Sequence, residues 1–387
     1  MAKSIKAPGT PPHFMVAGNR LTPLTGGSAR LAALIALIDG ARHSLRLLYY
    51  IYSDDRVGHQ VCEALERALD RGVTVSMIVD GFGSNAPSSF FAPLRDKGAD
   101  VCRFLPRFGR HYLLRNHQKL ILADEGAAII GGFNIEDGYF DDKGGWRDLG
   151  IRIEGEAAGR LAGYFDALIR WTHQDPPRMR RLRGTLSHWS NPEGQISWLL
   201  GGPTRRLSPW AKRLRRDLLA ATRLDMIAAY FAPTPAMLRG IERVARHGGT
   251  ARVVTAAKSD NTATIAAARH TYHRLLKRGV RIFEYQPRRL HTKLFVIDDV
   301  VHIGSANFDV RSLFLNLEIM LRIEDKGFAD HMRAYVAGEI ADSRQITAAS
   351  HEKAGWVTRL RWAMAYYLVA VVDGNVTRRL NFGLDGR

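Results

Sequence analysis

The chain has 387 residues, 46% of them hydrophobic, which argues for a globular protein long enough to hold two domains with sizeable cores. Its two cysteines, Cys62 and Cys102, exclude a disulfide framework and a Cys/His metal pattern, and both read as small core residues. A formal net charge of +18 points to polyanions as partners: nucleic acid, anionic lipid surfaces or phosphate esters.

Residues 1–17 hold no apolar stretch of signal-peptide length and read as an N-terminal extension. The first apolar cluster, Leu31 to Ile38, predicts an amphipathic helix with Ser28 as its N-cap. Strand-like runs then alternate with helical patterns: "LRLLYYIYSDD", "RGVTVSMIVDG" and "LRDKGADVCRF" lead to "RNHQKLILAD", Arg115 to Asp124. In an extended chain the side-chain period is two, so His117 and Lys119 emerge on one face, whereas Asp124 turns to the other. After a short β-turn-β comes Gly131-Gly132-Phe133-Asn134, and then Asp148 at the start of a further strand, "WRDLGIRI".

The same series then repeats. "LDMIAAYFAPT", "HGGTARVVTAA" and "LLKRGVRIFEY" parallel the first three runs, setting Tyr230 against Tyr50. "LHTKLFVIDD" follows, with His291, Lys293 and Asp298 at the spacing of His117, Lys119 and Asp124. Gly304-Ser305-Ala306-Asn307 and Glu318 in "NLEIMLRI" complete the second copy. Such alternation predicts an α/β fold with a largely parallel or mixed sheet in each half, covering residues 18–174 and 195–345. Residues 175–194, where Pro, Gly and Arg break both periodicities, read as the linker.

A fused repeat can form a pseudo-two-fold dimer whose equivalent edges face each other, which would set His117 and His291 across one site. Two opposed imidazoles suit phosphodiester displacement: the neutral one attacks phosphorus, and the protonated one releases the alcohol. Lys119 and Lys293 would neutralise phosphate oxygens, with Asn134 and Asn307 donating hydrogen bonds and no metal required. Asp148 and Glu318 are candidates to hold the imidazoles' second nitrogens, each for its own half or for the other. Asp124 and Asp298, on the opposite strand face, are expected to brace the fold.

These residues carry a resemblance. The paired His-x-Lys-x4-Asp motifs with their Gly-Gly-x-Asn and Gly-Ser-x-Asn signatures resemble the phospholipase D superfamily. "LLYYIYSDD", "GGFNIEDGY", "WRDLGIRIEG" and "GSANFDVRSLFLNLE" are similar to bacterial cardiolipin synthases, in the short form without N-terminal membrane helices. The resemblance implies two α/β/α sandwich halves in pseudo-two-fold arrangement, with the active site at their interface. It implies a catalytic set of His117, Lys119, Asp124, His291, Lys293 and Asp298, with His117 the nucleophile and His291 the general acid/base. Ser305 joins Asn134 and Asn307 as a phosphate-binding candidate; Gly132 at the matching place would leave one side without a hydroxyl. The implied reaction transfers a phosphatidyl group between two phosphatidylglycerol molecules through a phosphohistidine, giving cardiolipin and glycerol, with no cofactor. A phospholipase D-type hydrolase is the alternative, and a nuclease of the same superfamily a more distant one.

The tail, residues 346–387, includes the uncharged and mostly apolar Trp362 to Val372 between Arg359 and Arg361 on one side and Arg378 and Arg379 on the other. It is too short to cross a bilayer and suits a helix in the headgroup region, although a helix packed on the core fits equally. The expected partners are therefore phosphatidylglycerol and an anionic membrane surface, with no nucleic acid and no obligate protein partner. The expected location is peripheral, on the cytoplasmic face of the cell membrane.

Overall fold

The computed structural model describes residues 12–104, 114–174, 177–204 and 207–372. The elements of the first half run β1 (Phe14–Val16), β2 (Asn19–Leu24), α1 (Gly27–Gly40), β3 (Ser44–Tyr49), α2 (Arg56–Asp70), β4 (Thr74–Asp80), α3 (Ala92–Asp96), β5 (Asp100–Phe104), β6 (Leu120–Ala123), β7 (Ala127–Gly131), β8 (Gly150–Glu154) and α4 (Glu156–Thr172). Helix α5 (Met179–Trp189) leads into β9 (Ile196–Gly201), α6 (Pro209–Ala220), β10 (Arg223–Ala228), β11 (Phe231–Ala232), α7 (Pro235–Arg246), β12 (Thr250–Ala256), α8 (Thr262–Leu276) and β13 (Arg281–Tyr285). Then come β14 (Lys293–Ile297), β15 (Val300–Gly304), β16 (Phe308–Asp309), α9 (Val310–Phe314), β17 (Glu318–Glu324), α10 (Lys326–Ala341), β18 (Ser343–Ile346), α11 (Ala348–Glu352) and α12 (Trp356–Tyr366).

Sixteen strands form two eight-stranded mixed sheets, ordered β1-β2-β8-β7-β6-β3-β4-β5 and β18-β13-β12-β10-β14-β15-β17-β9, and β11 and β16 pair with each other. Read from opposite ends, the orders β2-β8-β7-β6-β3-β4-β5 and β9-β17-β15-β14-β10-β12-β13 correspond strand for strand. β3, β4 and β5 run parallel, as do β10, β12 and β13, whereas the histidine-bearing segments lead into antiparallel β6 and β14. The two-halves α/β fold inferred from the repeat is the observed one.

Three apolar cores hold five layers together. Outer cores lie between the first sheet and α1–α3, and between the second sheet and α6–α8. The central core joins the facing surfaces of both sheets, through Leu120, Leu122, Leu294 and Val296, to Phe165 and Leu168 of α4 and Phe328 and Met332 of α10. Strands buried on both faces carry near-continuous apolar side chains, as in "LILA" of β6 and "KLFVI" of β14.

Two local readings need correction. Ser28 is not the N-cap of α1; Gly26 occupies that place, and the Asp142 carboxylate accepts from Gly27 N at 2.5 Å and Ser28 N at 2.9 Å. A long-range acid thus satisfies the free N–H groups that a local cap would serve. The span 175–194 is not all linker, because α5 forms within it and buries Leu182 and Leu186 in the central core. These two leucines, four residues apart, supply a helical seam that the surrounding arginines obscure.

The tail packs on the second half and also leaves an apolar face exposed. Helix α12 lies along α8, with the Tyr366 ring 5.0 Å from that of His270; Trp362 stacks on His351 of α11 at 5.0 Å, and Tyr366 Oη donates to Pro233 O at 2.8 Å. Its other face leaves Trp356, Leu360 and Met364 exposed, and the next turn adds Tyr367 and Leu368. No helix among the described residues is long and apolar enough to cross a membrane. Arg378 and Arg379 lie outside the described residues.

Candidate active site

Backbone pairing between the halves brings the two motifs together. His117 N donates to Leu317 O at 2.9 Å, and Leu317 N donates to Arg115 O at 2.9 Å. In the twin arrangement His291 N donates to Arg147 O at 2.7 Å, and Arg147 N donates to Arg289 O at 2.7 Å. The acid that follows each pairing residue therefore falls beside the other half's histidine. His117 Nδ1 lies 3.0 Å from Glu318 Oε1, and His291 Nδ1 lies 2.7 Å from Asp148 Oδ2. The acids cross over: each orients the imidazole of the opposite half and leaves its Nε2 to the cleft.

The two pairs are electrically different. Burial would raise the Asp148 carboxyl, but the charge of His291 and that of Lys293 outweigh it and hold the group below the usual range. Glu318 is pushed up to about 8 by burial, although Lys119 and the hydroxyls of Ser305 and Ser312 pull it down. Burial drives His117 well below its ordinary value, with Lys119 and Lys293 acting in the same direction. His291 is lowered to about 4, again by burial and Lys293, with Asp148 opposing. Asp148 thus faces its imidazole as an anion, while burial pushes Glu318 in the opposite direction.

Lys119 and Lys293 are almost fully buried beneath the histidines, and each Nζ donates to the carbonyl of its own motif histidine. Burial lowers both, Lys293 to about 8. Their positive charge reaches both imidazoles, but neither ammonium lines the cleft. Asn134 and Asn307 do line it; Asn134 Oδ1 accepts from Ile51 N at 3.1 Å, which turns its amide nitrogen away from that strand.

Two expectations change on the structure. Ser305 is buried and donates to Glu318 Oε2 at 2.5 Å, while Ile319 N donates back to its hydroxyl at 3.0 Å. Its hydroxyl is committed to the orienting acid and is not available to a phosphate. The absence of a hydroxyl at Gly132 has a matching cause, since a Cβ there would stand 2.5 Å from Asp148 Oδ1. The shorter acid needs a bare backbone beside it, and the longer one leaves room for a serine. Asp124 and Asp298 are also outside the cleft. Asp124 accepts from Arg42, His43 and Ser44 N, and Asp298 from Thr222 N, Thr222 Oγ1 and Arg223 N, tying down the starts of β3 and β10. They belong to the motif as braces, not as catalytic groups.

Several contributors carry no sequence signal of their own. Asp80, at the end of β4, accepts from Asn116 N at 2.7 Å and so anchors the segment before His117. Buried Arg30 of α1 donates to Asp148 O and Tyr139 O, each at 2.6 Å. The rings of Tyr139 and Trp146 lie 5.1 and 5.4 Å from that of His291, and Tyr50 lies 5.0 Å from His117. Tyr50 and Tyr230, aligned by the repeat, could have been chosen from sequence. Arg30 could not, because nothing in the helix it occupies distinguishes it. Together these elements enclose a cleft of about 640 Å3 with both histidines, both asparagines, Arg115, Arg311, Asp260 and Asp309 in its walls and Leu368 and Val369 of the tail alongside. Among the described residues no group of three or more His, Cys, Asp or Glu is placed to hold a metal ion.

A family model described as "Cardiolipin synthase, PLD-like domain" matches residues 34–169 and 216–339, one match in each half. The chain belongs to this phospholipase D-like family. Among curated members, cardiolipin synthase A of Pseudomonas entomophila (strain L48) is 32% identical over 346 residues, covering 86% of this chain and 71% of that one. Cardiolipin synthase 1 of Bacillus anthracis is 32% identical over 319 residues, or 77% of this chain and 62% of that one. Among solved structures, phosphatidylserine synthase of Haemophilus influenzae Rd KW20 superimposes with a TM-score of 0.70 at 12% identity, covering 92% and 95% of the two chains. A polyphosphate kinase from Porphyromonas gingivalis reaches a TM-score of 0.59 at 13% identity, over 92% of this chain and 53% of that one. Both share the fold.

Proposed function

We propose that this phospholipase D-like enzyme is a cardiolipin synthase, moving a phosphatidyl group from one phosphatidylglycerol to the headgroup of another. The observation that carries the reading is the pair of histidines in one cleft, each held by the other half's acid. His117 Nε2 attacks phosphorus; the P–N bond forms as the P–O bond to glycerol breaks, and His291 Nε2–H protonates the departing oxygen. A hydroxyl of a second phosphatidylglycerol then returns its proton to His291 as it attacks, the P–N bond breaks, and cardiolipin leaves with His117 restored.

The assignment of roles rests on the acids. Anionic Asp148 stabilises an imidazolium on His291, whereas Glu318, accepting from Nδ1–H of His117, leaves Nε2 of that ring its lone pair for attack. The bound phosphodiester adds a negative charge that raises His291 towards the range an acid needs. Lys119 and Lys293 supply fixed positive potential under the phosphate, and Asn134 and Asn307 lie where their amides can donate to its oxygens.

The substrate also suggests where the enzyme works. The exposed apolar face of α12, flanked by Arg359 and Arg361, fits a peripheral helix on an anionic bilayer at the cytoplasmic face. The decisive experiment incubates purified full chain with phosphatidylglycerol vesicles and measures cardiolipin and glycerol. His117→Ala and His291→Ala are each expected to lose activity by roughly three orders of magnitude or more, as removal of a covalent nucleophile or its acid partner does. Full activity in either variant, or cleavage of labelled DNA with inert lipid, refutes the reading.

A further inference from the structure

The two sides of the cleft are not equivalent, although the halves that build it are copies. Aligning β4 with β12 sets Ser84 of the first half against Asp260 of the second. Ser84 is buried, with its hydroxyl donating to Tyr52 O at 3.0 Å, so it contributes nothing to the cleft. Asp260 lines the cleft and receives two hydrogen bonds on Oδ1, from Tyr230 Oη at 2.6 Å and Ser259 Oγ at 2.9 Å. Tyr230 stands edge-on to His291, ring centroids 6.1 Å apart, which fixes the carboxylate on the His291 side. The opposite side carries Arg115, over the Phe82 ring at 4.1 Å, and Tyr50, whose ring lies 5.0 Å from that of His117. Burial works against ionisation of Asp260, but the bonds from Tyr230 and Ser259 and the charge of His291 hold it ionised.

A displacement with a covalent intermediate on His117 sends the leaving alcohol and the incoming alcohol through the same place, beside His291. On that reading of the reaction, we propose that Tyr230 and Asp260 form the subsite for this alcohol, accepting a hydrogen bond from a glycerol hydroxyl other than the reacting one. A vicinal diol can satisfy His291 and Asp260 at once, holding the attacking oxygen in line with phosphorus. A water molecule brings only the oxygen that attacks and has no second hydroxyl to anchor on Asp260. The carboxylate therefore sets the balance between transfer and hydrolysis, a balance that the histidine pair alone leaves open.

The test measures both products, cardiolipin and phosphatidic acid, from phosphatidylglycerol vesicles with the full-length chain. Asp260→Asn keeps the size of the side chain and removes its charge; the ratio of cardiolipin to phosphatidic acid is expected to fall by about tenfold or more, the worth of a hydrogen bond to a charged acceptor. Tyr230→Phe, which keeps the ring and frees the carboxylate from its tether, is expected to shift the ratio the same way by a smaller factor, and it decides the matter if Asp260→Asn does not fold. A wild-type ratio in the folded variants, even with turnover lowered, means that the pair only shapes the fold and overturns the proposal. A wild-type chain that yields neither lipid product removes the phosphatidyl-transfer reading, and this subsite falls with it.

Discussion

At the scale of single residues, the chemistry depends on groups kept away from their ordinary protonation. His117 is driven well below the usual imidazole value by burial and two lysines, so falling pH protonates the nucleophile only well under pH 6.5. In the other direction, Lys293 at about 8 loses its charge. That change removes positive potential from the phosphate site, so kcat on detergent-dispersed phosphatidylglycerol, which reports the complex in which bound phosphodiester has raised His291, is expected to decline as pH rises through about 8. The acid limb should fall below the range of a free histidine. A profile followed over about pH 4–10 checks this, and a rate still flat above about pH 9.5 contradicts it. Crossing of the acids was beyond the sequence: the motifs identify two histidines and two carboxylates, but their pairing depends on backbone bonds between Leu317 and His117 and between Arg147 and His291.

At the scale of elements, the strand that delivers each histidine and the turn after it act as one unit. Gly132 and Ser305 look like a minor divergence in a shared signature, yet each matches the length of the acid it adjoins. Gly132→Ser, which copies the second half into the first, is expected to push against Asp148 and lower activity by roughly 10- to 100-fold while the fold survives, as loss of an orienting partner does. Activity equal to wild type, measured beside an unchanged melting temperature, means that the close approach imposes no constraint. The repeat made the strands and their order legible, because a period of two and recurring Gly-x-x-Asn turns survive in the sequence. Helix α5 did not show, since Leu182 and Leu186 are its only fully buried side chains and arginines surround them. The cap of α1 did not show either, because its acid, Asp142, stands far away along the chain.

At the scale of the molecule, the central core ties both sheets to α4 and α10, which fixes the two histidine strands relative to each other. The tail is attached differently. α12 rests on α8 by one face, leaves its other face apolar and exposed, and is followed by Leu368 and Val369, which line the cleft. Deleting residues 356–387 is expected to weaken flotation with anionic vesicles more than turnover of lipid dispersed in detergent. Equal losses in both assays mean that the segment is a structural strap over α8 and not a membrane contact.

The exchange of carboxylates between the halves also constrains descent. A tandem copy usually frees one member to drift, since the other can carry the original task alone. Here neither member keeps a complete set: His117 is served by Glu318, and His291 by Asp148. Damage to either copy disarms the histidine of its sibling as well, so the pair survives or decays as one heritable unit.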